Sequence, residues 1–229
     1  MAILDIVNRT ENWKTACYFA PLFGHGSVKV ARRLLAQEKE RAELHPGDVR
    51  LELFWYGMRD YFHPRKAMPE ADPETLAEFY FDLFPDLRTQ IKDFKGSGES
   101  KDLAFQELQG QNYDVSSRDR RKRLAQNLLN TEVDIVLESP THLFVGEAKH
   151  LSTFGASGRD ILTHQLIRQH VMAKILLKLP GNKEKAVVPF VVGDDRDYLQ
   201  KTLQVQFVVD QGWMRKENIL TWSDIEALW

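Results

Sequence analysis

The stretch Thr131–His150 reads TEVDIVLESPTHLFVGEAKH, and its pattern decides the fold. Val133, Ile135 and Leu137 alternate with Asp134 and Val136, which is the period of a strand. Glu138-Ser139-Pro140-Thr141 is polar and carries a proline, so the chain turns there. Leu143 to Lys149 then forms a second strand. Side chains two apart in a strand share a face, so Glu147 and Lys149 point the same way as Leu143 and Val145. On the other face Phe144, Gly146 and Ala148 are apolar or small, and a strand apolar on both faces lies inside a sheet. Two carboxylates and a lysine in such runs are costly to bury.

If the hairpin pairs symmetrically about Pro140 and Thr141, Asp134 lies opposite Glu147, with Cβ atoms roughly 5 Å apart. Like charges at that distance repel, and a hard cation between them reverses the sign. Mg²⁺ takes oxygen ligands and is commonly held by one or two carboxylates plus a substrate phosphate. The competing reading is a surface hairpin with solvated charges. The apolar residues on both faces of the second strand argue against it.

Asp134, twelve intervening residues and then Glu147-Ala148-Lys149 resemble the PD-(D/E)XK nuclease superfamily, the fold of many restriction enzymes and DNA-repair nucleases. The resemblance covers roughly residues 131–193. Val133 stands where the superfamily motif often has proline. The resemblance implies an α/β, restriction-endonuclease-like αβββαβ core with a mixed sheet. It implies that Asp134 and Glu147 bind Mg²⁺ or Mn²⁺, with the Ala148 carbonyl as a further ligand. Lys149 would then orient the attacking water or stabilise charge developing on the phosphate. The chemistry stands without the family, because phosphodiester hydrolysis needs an activated water and a clamp on a more negative transition state.

Gly158–Leu179 predicts one long helix, with Leu162, Leu166, Ile175, Leu176 and Leu179 at helical spacing, Asp160 near its start and Pro180-Gly181 ending it. His164, Gln165, Arg168 and Gln169 break its apolar pattern, and Gln165 and Gln169 are one turn apart. By the resemblance, Gln165 would lend a polar group to the site. A plain solvated stripe explains the cluster equally well. His150 reads as a solvated loop histidine. By the resemblance, an upstream helix would supply a fourth acidic residue, although an ordinary surface or N-terminal helix carboxylate is the better reading of either candidate. The candidates are Glu52, in the apolar run VRLELFWYGMRDYF read as an aromatic helix, and Glu107 in LAFQELQ. Glu52 is preferred, because an acid in such a run needs a reason.

Residues 1–95 read as a mainly helical N-terminal region, packed on or extending a core over residues 101–229. The two could also be one continuous domain. Ser27–Leu44 predicts a helix broken by His45-Pro46-Gly47, with a second helix through Tyr61. Asp72-Pro73-Glu74 opens another helix, ending near Phe84. Lys95–Ser100 is linker-like. Beyond the long helix, Ala186–Val192 predicts a strand whose Pro189 suggests an edge or a bulge. Val205–Val209 predicts a further strand. Ser223-Asp224-Ile225-Glu226 predicts a capping box and a last helix docked by Trp222 and Trp229. The first core strand should precede Asp134, with Gln111–Ser116 the candidate.

The net charge is −2 and the hydrophobic content 43%, so there is no global basic field and ample material for a core. Locally, Arg118-Asp119-Arg120-Arg121-Lys122-Arg123 precedes the motif strand. Arg120, Arg121, Arg123 and Arg168 are the candidate phosphate contacts, with Arg32 and Arg33 as extensions. The single Cys17 excludes an internal disulfide framework and a cysteine-based zinc site. No run is apolar and long enough to span a bilayer. The N-terminus has charges where an export signal would be apolar, so a cytoplasmic location is expected. The resemblance implies a magnesium-dependent nuclease, a hydrolase acting on DNA rather than RNA. By resemblance it would leave 5′-phosphate and 3′-hydroxyl ends, and it would form a homodimer if it cuts duplexes. Two other classes remain: a noncatalytic nucleic-acid-binding or interaction protein on the same scaffold, and a metal-dependent small-molecule enzyme.

Overall fold

The protein is α/β, and the expected hairpin lies in the middle of its sheet. The computed structural model describes residues 7–62, 83, 128–150 and 164–229. Five strands, β1 (Arg50–Trp55), β2 (Val133–Glu138), β3 (His142–Ala148), β4 (Ala186–Gly193) and β5 (Ile219–Thr221), form one mixed sheet in that spatial order. β2 is antiparallel to β1 and β3, whereas β4 is parallel to β3 and β5. The described helices are α1 (Val7–Phe19), α2 (Ser27–Leu34), α3 (Glu38–Glu43), α4 (Gly57–Tyr61), α5 (Gln165–Lys178), α6 (Arg196–Gln200), α7 (Leu203–Asp210) and α8 (Trp222–Glu226).

The chain divides into two compact units. The first comprises residues 1–55, 133–154 and 185–229 and holds the whole sheet. The second comprises residues 56–132 and 155–184 and holds α4 and α5. In the first, Ile135, Leu137, Phe144, Ala148, Phe190 and Val192 cover one face of the sheet. They pack in a single core with α2 and with Trp222 and Ile225 of α8. That face is the one away from Asp134, Glu147 and Lys149, because strand side chains alternate.

Gly146 is required on the core face. A Cβ there would lie 2.2 Å from Cζ of the fully buried Phe190. Gly146→Ala is expected to lower stability by about 1–3 kcal/mol, the usual cost of overpacking. Urea unfolding reads this as a lower midpoint at unchanged slope.

Several expectations are corrected. Residues 50–55, read as part of an aromatic helix, are instead the edge strand β1, and only Gly57–Tyr61 is helical. Exposed Arg50 and Glu52 alternate with half-buried Leu51 and Leu53, a period-two signal that the aromatic content hid. β1 pairs with β2 through Leu51↔Leu137 and Glu52↔Val136. The strand hydrogen-bonded ahead of Asp134 thus comes from the first half of the chain. Gln111–Ser116, the expected source, lies outside the described residues, as do the helix from Asp72, the linker at 95–100 and Glu107. α1 to α3 and β1 belong to the same unit as the rest of the sheet, so this part of the N-terminal half is built into it.

The predicted helix 27–44 is two helices separated at Leu35–Gln37. α5 begins at Gln165, where His164 has an extended backbone and serves as its N-cap, and residues 158–163 of the predicted helix lie outside the described residues. Val205–Val209, expected as a strand, is helical within α7. Its buried residues Gln204, Val205, Phe207 and Val208 recur at three and four, the helical period. α8 is capped by Thr221 with Asp224 as the reciprocal partner, rather than by Ser223 with Glu226. Trp222 is buried in the core, and Trp229 Nε1 donates to the Tyr18 carbonyl at 3.0 Å, so both tryptophans dock the C-terminus as expected. β4 is interior in strand order, yet β5 pairs only with Val191–Gly193. At Pro189 the strand therefore has one described neighbour, β3, which accommodates the missing N–H.

Candidate functional site

The β2–β3 pairing runs from Ile135↔Gly146 to Glu138↔Leu143. Continued by one residue, that register sets Asp134 opposite Glu147. Every residue of β3 is buried, as its central place requires. Glu147 is 0% exposed and Lys149 6%. Lys149 Nζ lies 2.5 Å from Glu147 Oε1, so the ammonium neutralises the carboxylate on its own strand. Asp134 Oδ2 accepts from the Ala148 N–H at 2.9 Å, which orients that carboxylate across the hairpin.

Burial first, and the Glu147 charge second, raise the Asp134 carboxyl well above the ordinary aspartate range, against the Ala148 N–H bond. Burial alone would favour a neutral Lys149, but Glu147, then Glu11 and Asp134, outweigh it and hold the ammonium above the ordinary lysine range. The pair of carboxylates is thus under charge strain.

Among the described residues, the upstream acidic residue at this cluster is Glu11 on α1, which the sequence reading missed. Its Oε1 accepts from Lys149 Nζ at 3.2 Å and its Oε2 from the His150 N–H at 2.8 Å. Glu52 is exposed on β1 opposite Val136, one strand away from the role expected of it. His150 is not a solvated loop residue. Its Nδ1 lies 3.0 Å from Asp194 Oδ2 and 2.9 Å from Lys14 Nζ. Lys14 Nζ in turn donates to Asp194 Oδ1 at 2.6 Å. No local pattern marks Glu11, whose partner Lys149 is 138 residues away. Asp194 carried a weak signal, since it follows the end of a parallel strand, where α/β sites sit.

Phe54 lies between Leu53↔Ile135 and Trp55↔Val133, hence across from Asp134, and has φ +56°. A bulky side chain in that region is strained, by about 1–3 kcal/mol, and such strain concentrates at functional sites.

The remaining expected residues fall elsewhere. Gln165 is half-buried at the first position of α5 in the second unit. Gln169 Nε2 donates to the Glu132 carbonyl at 3.1 Å within that unit. Burial, with Arg168 adding, lowers His164 to about 4, and burial, with Lys174 adding, lowers His170 to about 3. Both are neutral near pH 7. Arg32 Nη2 donates to the Leu44 carbonyl, which gives it a structural role. Arg120, Arg121 and Arg123 lie outside the described residues.

The donor set at the cluster is all oxygen, which suits Mg²⁺ or Mn²⁺. Among the described residues no three His, Cys, Asp or Glu side chains form a ready metal cage. The protein's share would be two carboxylates and the Ala148 carbonyl, with water and substrate completing the shell. Fold and cluster together define an α/β protein whose five-stranded mixed sheet carries a buried carboxylate–lysine group at its centre. Comparison of the chain with protein-family models, curated proteins and solved structures gives no match. No described helix is long and apolar enough to cross a membrane.

Proposed function

We propose that the protein is a divalent-cation-dependent nuclease of the PD-(D/E)XK type that hydrolyses phosphodiester bonds in DNA. The observation that carries this reading is the pairing of half-buried Asp134 with fully buried Glu147, with Lys149 at 2.5 Å from Glu147. Charges in so dry a place are a liability to folding and an asset to chemistry. The chain order of helix, three strands, helix and strand supports the same reading. Asp134, Glu147 and the Ala148 carbonyl would hold Mg²⁺ or Mn²⁺, which when bound polarises a phosphoryl oxygen and acidifies a water. Lys149 presents ammonium protons to the attacking water or to a non-bridging phosphate oxygen. Asp134 is held in place by the Ala148 N–H, so its carboxylate needs no reorganisation during the reaction. Arg168, together with Arg120, Arg121 and Arg123, would contact backbone phosphates, and a homodimer would cut both strands of a duplex.

The test is cleavage of single- and double-stranded DNA, linear and circular, with Mg²⁺ or Mn²⁺, using wild type, Asp134→Ala and Lys149→Ala. Cation-dependent cutting that both substitutions abolish is the expected result. No cutting of any substrate, with no cation bound in calorimetry, would leave a noncatalytic scaffold protein instead.

A further inference from the structure

Cation binding between Asp134 and Glu147 would set the metal and Lys149 in competition for the same Glu147 carboxylate. Lys149 is 6% exposed, and a buried ammonium that loses its partner is costly. A second carboxylate is already placed for it. Glu11 Oε1 stands 3.2 Å from the ammonium on the side of α1. Its other oxygen holds the N–H of His150, the residue next to Lys149, at 2.8 Å. Glu11 is thus tied to the backbone that carries the lysine.

α1 is fastened at a second point. Lys14, three residues on and hence on the same side of the helix, donates to Asp194 Oδ1 at 2.6 Å. Asp194 and Lys14 both meet the His150 ring, at 3.0 and 2.9 Å. The Lys14 ammonium also lies 5.1 Å from the centre of the Trp222 ring, which is buried in the core. These contacts hold one turn of α1 against the ends of β3 and β4.

We propose that Glu11 is the positioning residue for Lys149. It takes over the ammonium when a cation occupies Asp134 and Glu147, and the Lys14–Asp194 pair keeps α1 where this transfer can occur. Glu11 then acts through Lys149 rather than as a cation ligand. The inference rests on the cation-dependent reading of the site.

Two measurements test it. In EDTA, a double-mutant cycle of Glu11→Gln and Lys149→Met is read by urea unfolding. The unfolding constants are expected to depart from additivity by about 5-fold or more, as for residues in one ion-pair network. Additive effects would overturn the pairing whatever the metal does. Calorimetric titration with Mn²⁺ alone then compares wild type, Glu147→Gln, Glu11→Gln and Asp194→Asn. Glu147→Gln is expected to weaken Mn²⁺ binding about 10-fold or more, and Glu11→Gln by no more than about 3-fold. Cleavage by Glu11→Gln should nonetheless fall about 10–100-fold in kcat with little change in KM, the range for groups behind a metal site. Asp194→Asn is expected to lower kcat in the same direction, by less. Equal losses of Mn²⁺ affinity in Glu11→Gln and Glu147→Gln would make Glu11 a ligand and overturn the proposal. A wild type that takes up no Mn²⁺ would overturn the functional reading and the transfer with it, while the EDTA cycle would still decide whether Glu11 holds Lys149.

Discussion

Lys149→Met is expected to reduce cation-dependent DNA cleavage by about 10²–10³-fold, the usual effect of removing one preorganised electrostatic group from a developing charge. The same substitution should destabilise the cation-free protein. It leaves Glu147, 0% exposed, and Asp134 beside it without the ammonium that now offsets them. Removing one partner of a buried ion pair costs about 3–5 kcal/mol, readable by urea unfolding in EDTA at pH 8. Two conditions should restore part of the loss. Lowering the pH protonates Asp134, because the folded Asp134 takes up a proton before the unfolded one does. Mn²⁺ supplies the missing positive charge. A variant as stable as wild type in EDTA at pH 8 would contradict the pairing.

Asp134→Asn should do the opposite to stability while also abolishing cleavage. Burial and the Glu147 charge raise the Asp134 carboxyl, so its charged form is the unfavourable one in the folded protein. A raised folded value means that the group's stability is fully present below the unfolded value, about 3.9. That stability is lost as pH rises through the folded value. At pH 8, far above the unfolded value, the penalty is felt, and asparagine removes it. Its amide oxygen still accepts the Ala148 N–H that Asp134 now holds at 2.9 Å. The expected gain in EDTA at pH 8 is about 0.5–2 kcal/mol, the usual return on relieving a functional site. Each kcal/mol raises Tm by about 2–4 °C for a chain of this size, and the gain should vanish as pH approaches 4. Wild type should recover about 2.7 kcal/mol at a cation concentration near 100 Kd, and the variant nothing. A variant less stable than wild type in EDTA at pH 8 would show that Asp134 bears no charge strain.

The hairpin and its charges were legible because the information is local. Alternation over Val133–Leu137, the turn at Pro140 and apolar residues on both faces of β3 need no knowledge of distant chain. The same holds for β4, whose apolar run at 186–193 admits little else. Errors came where two periods compete within a few residues. RLELFW suits a strand by alternation and a helix by its aromatic neighbours, and its pairing with Leu137 and Val136 decided the matter. LQVQFVVD looks like a strand by composition, but Gln204, Val205, Phe207 and Val208 bury themselves on one side of a helix.

The sequence by itself determined that Asp134, Glu147 and Lys149 sit on adjoining strands and share a face, because strand period and turn position follow from neighbouring residues. Only the tertiary structure decided which residues surround them. Glu11 reaches Lys149 across 138 residues of chain, Lys14 reaches His150 across 136, and Asp194 reaches His150 across 44. Charged side chains on helices and loops are ordinarily solvated. What singles out these three is that folding lays α1 beside the ends of β3 and β4, where a buried ammonium needs a second counter-charge.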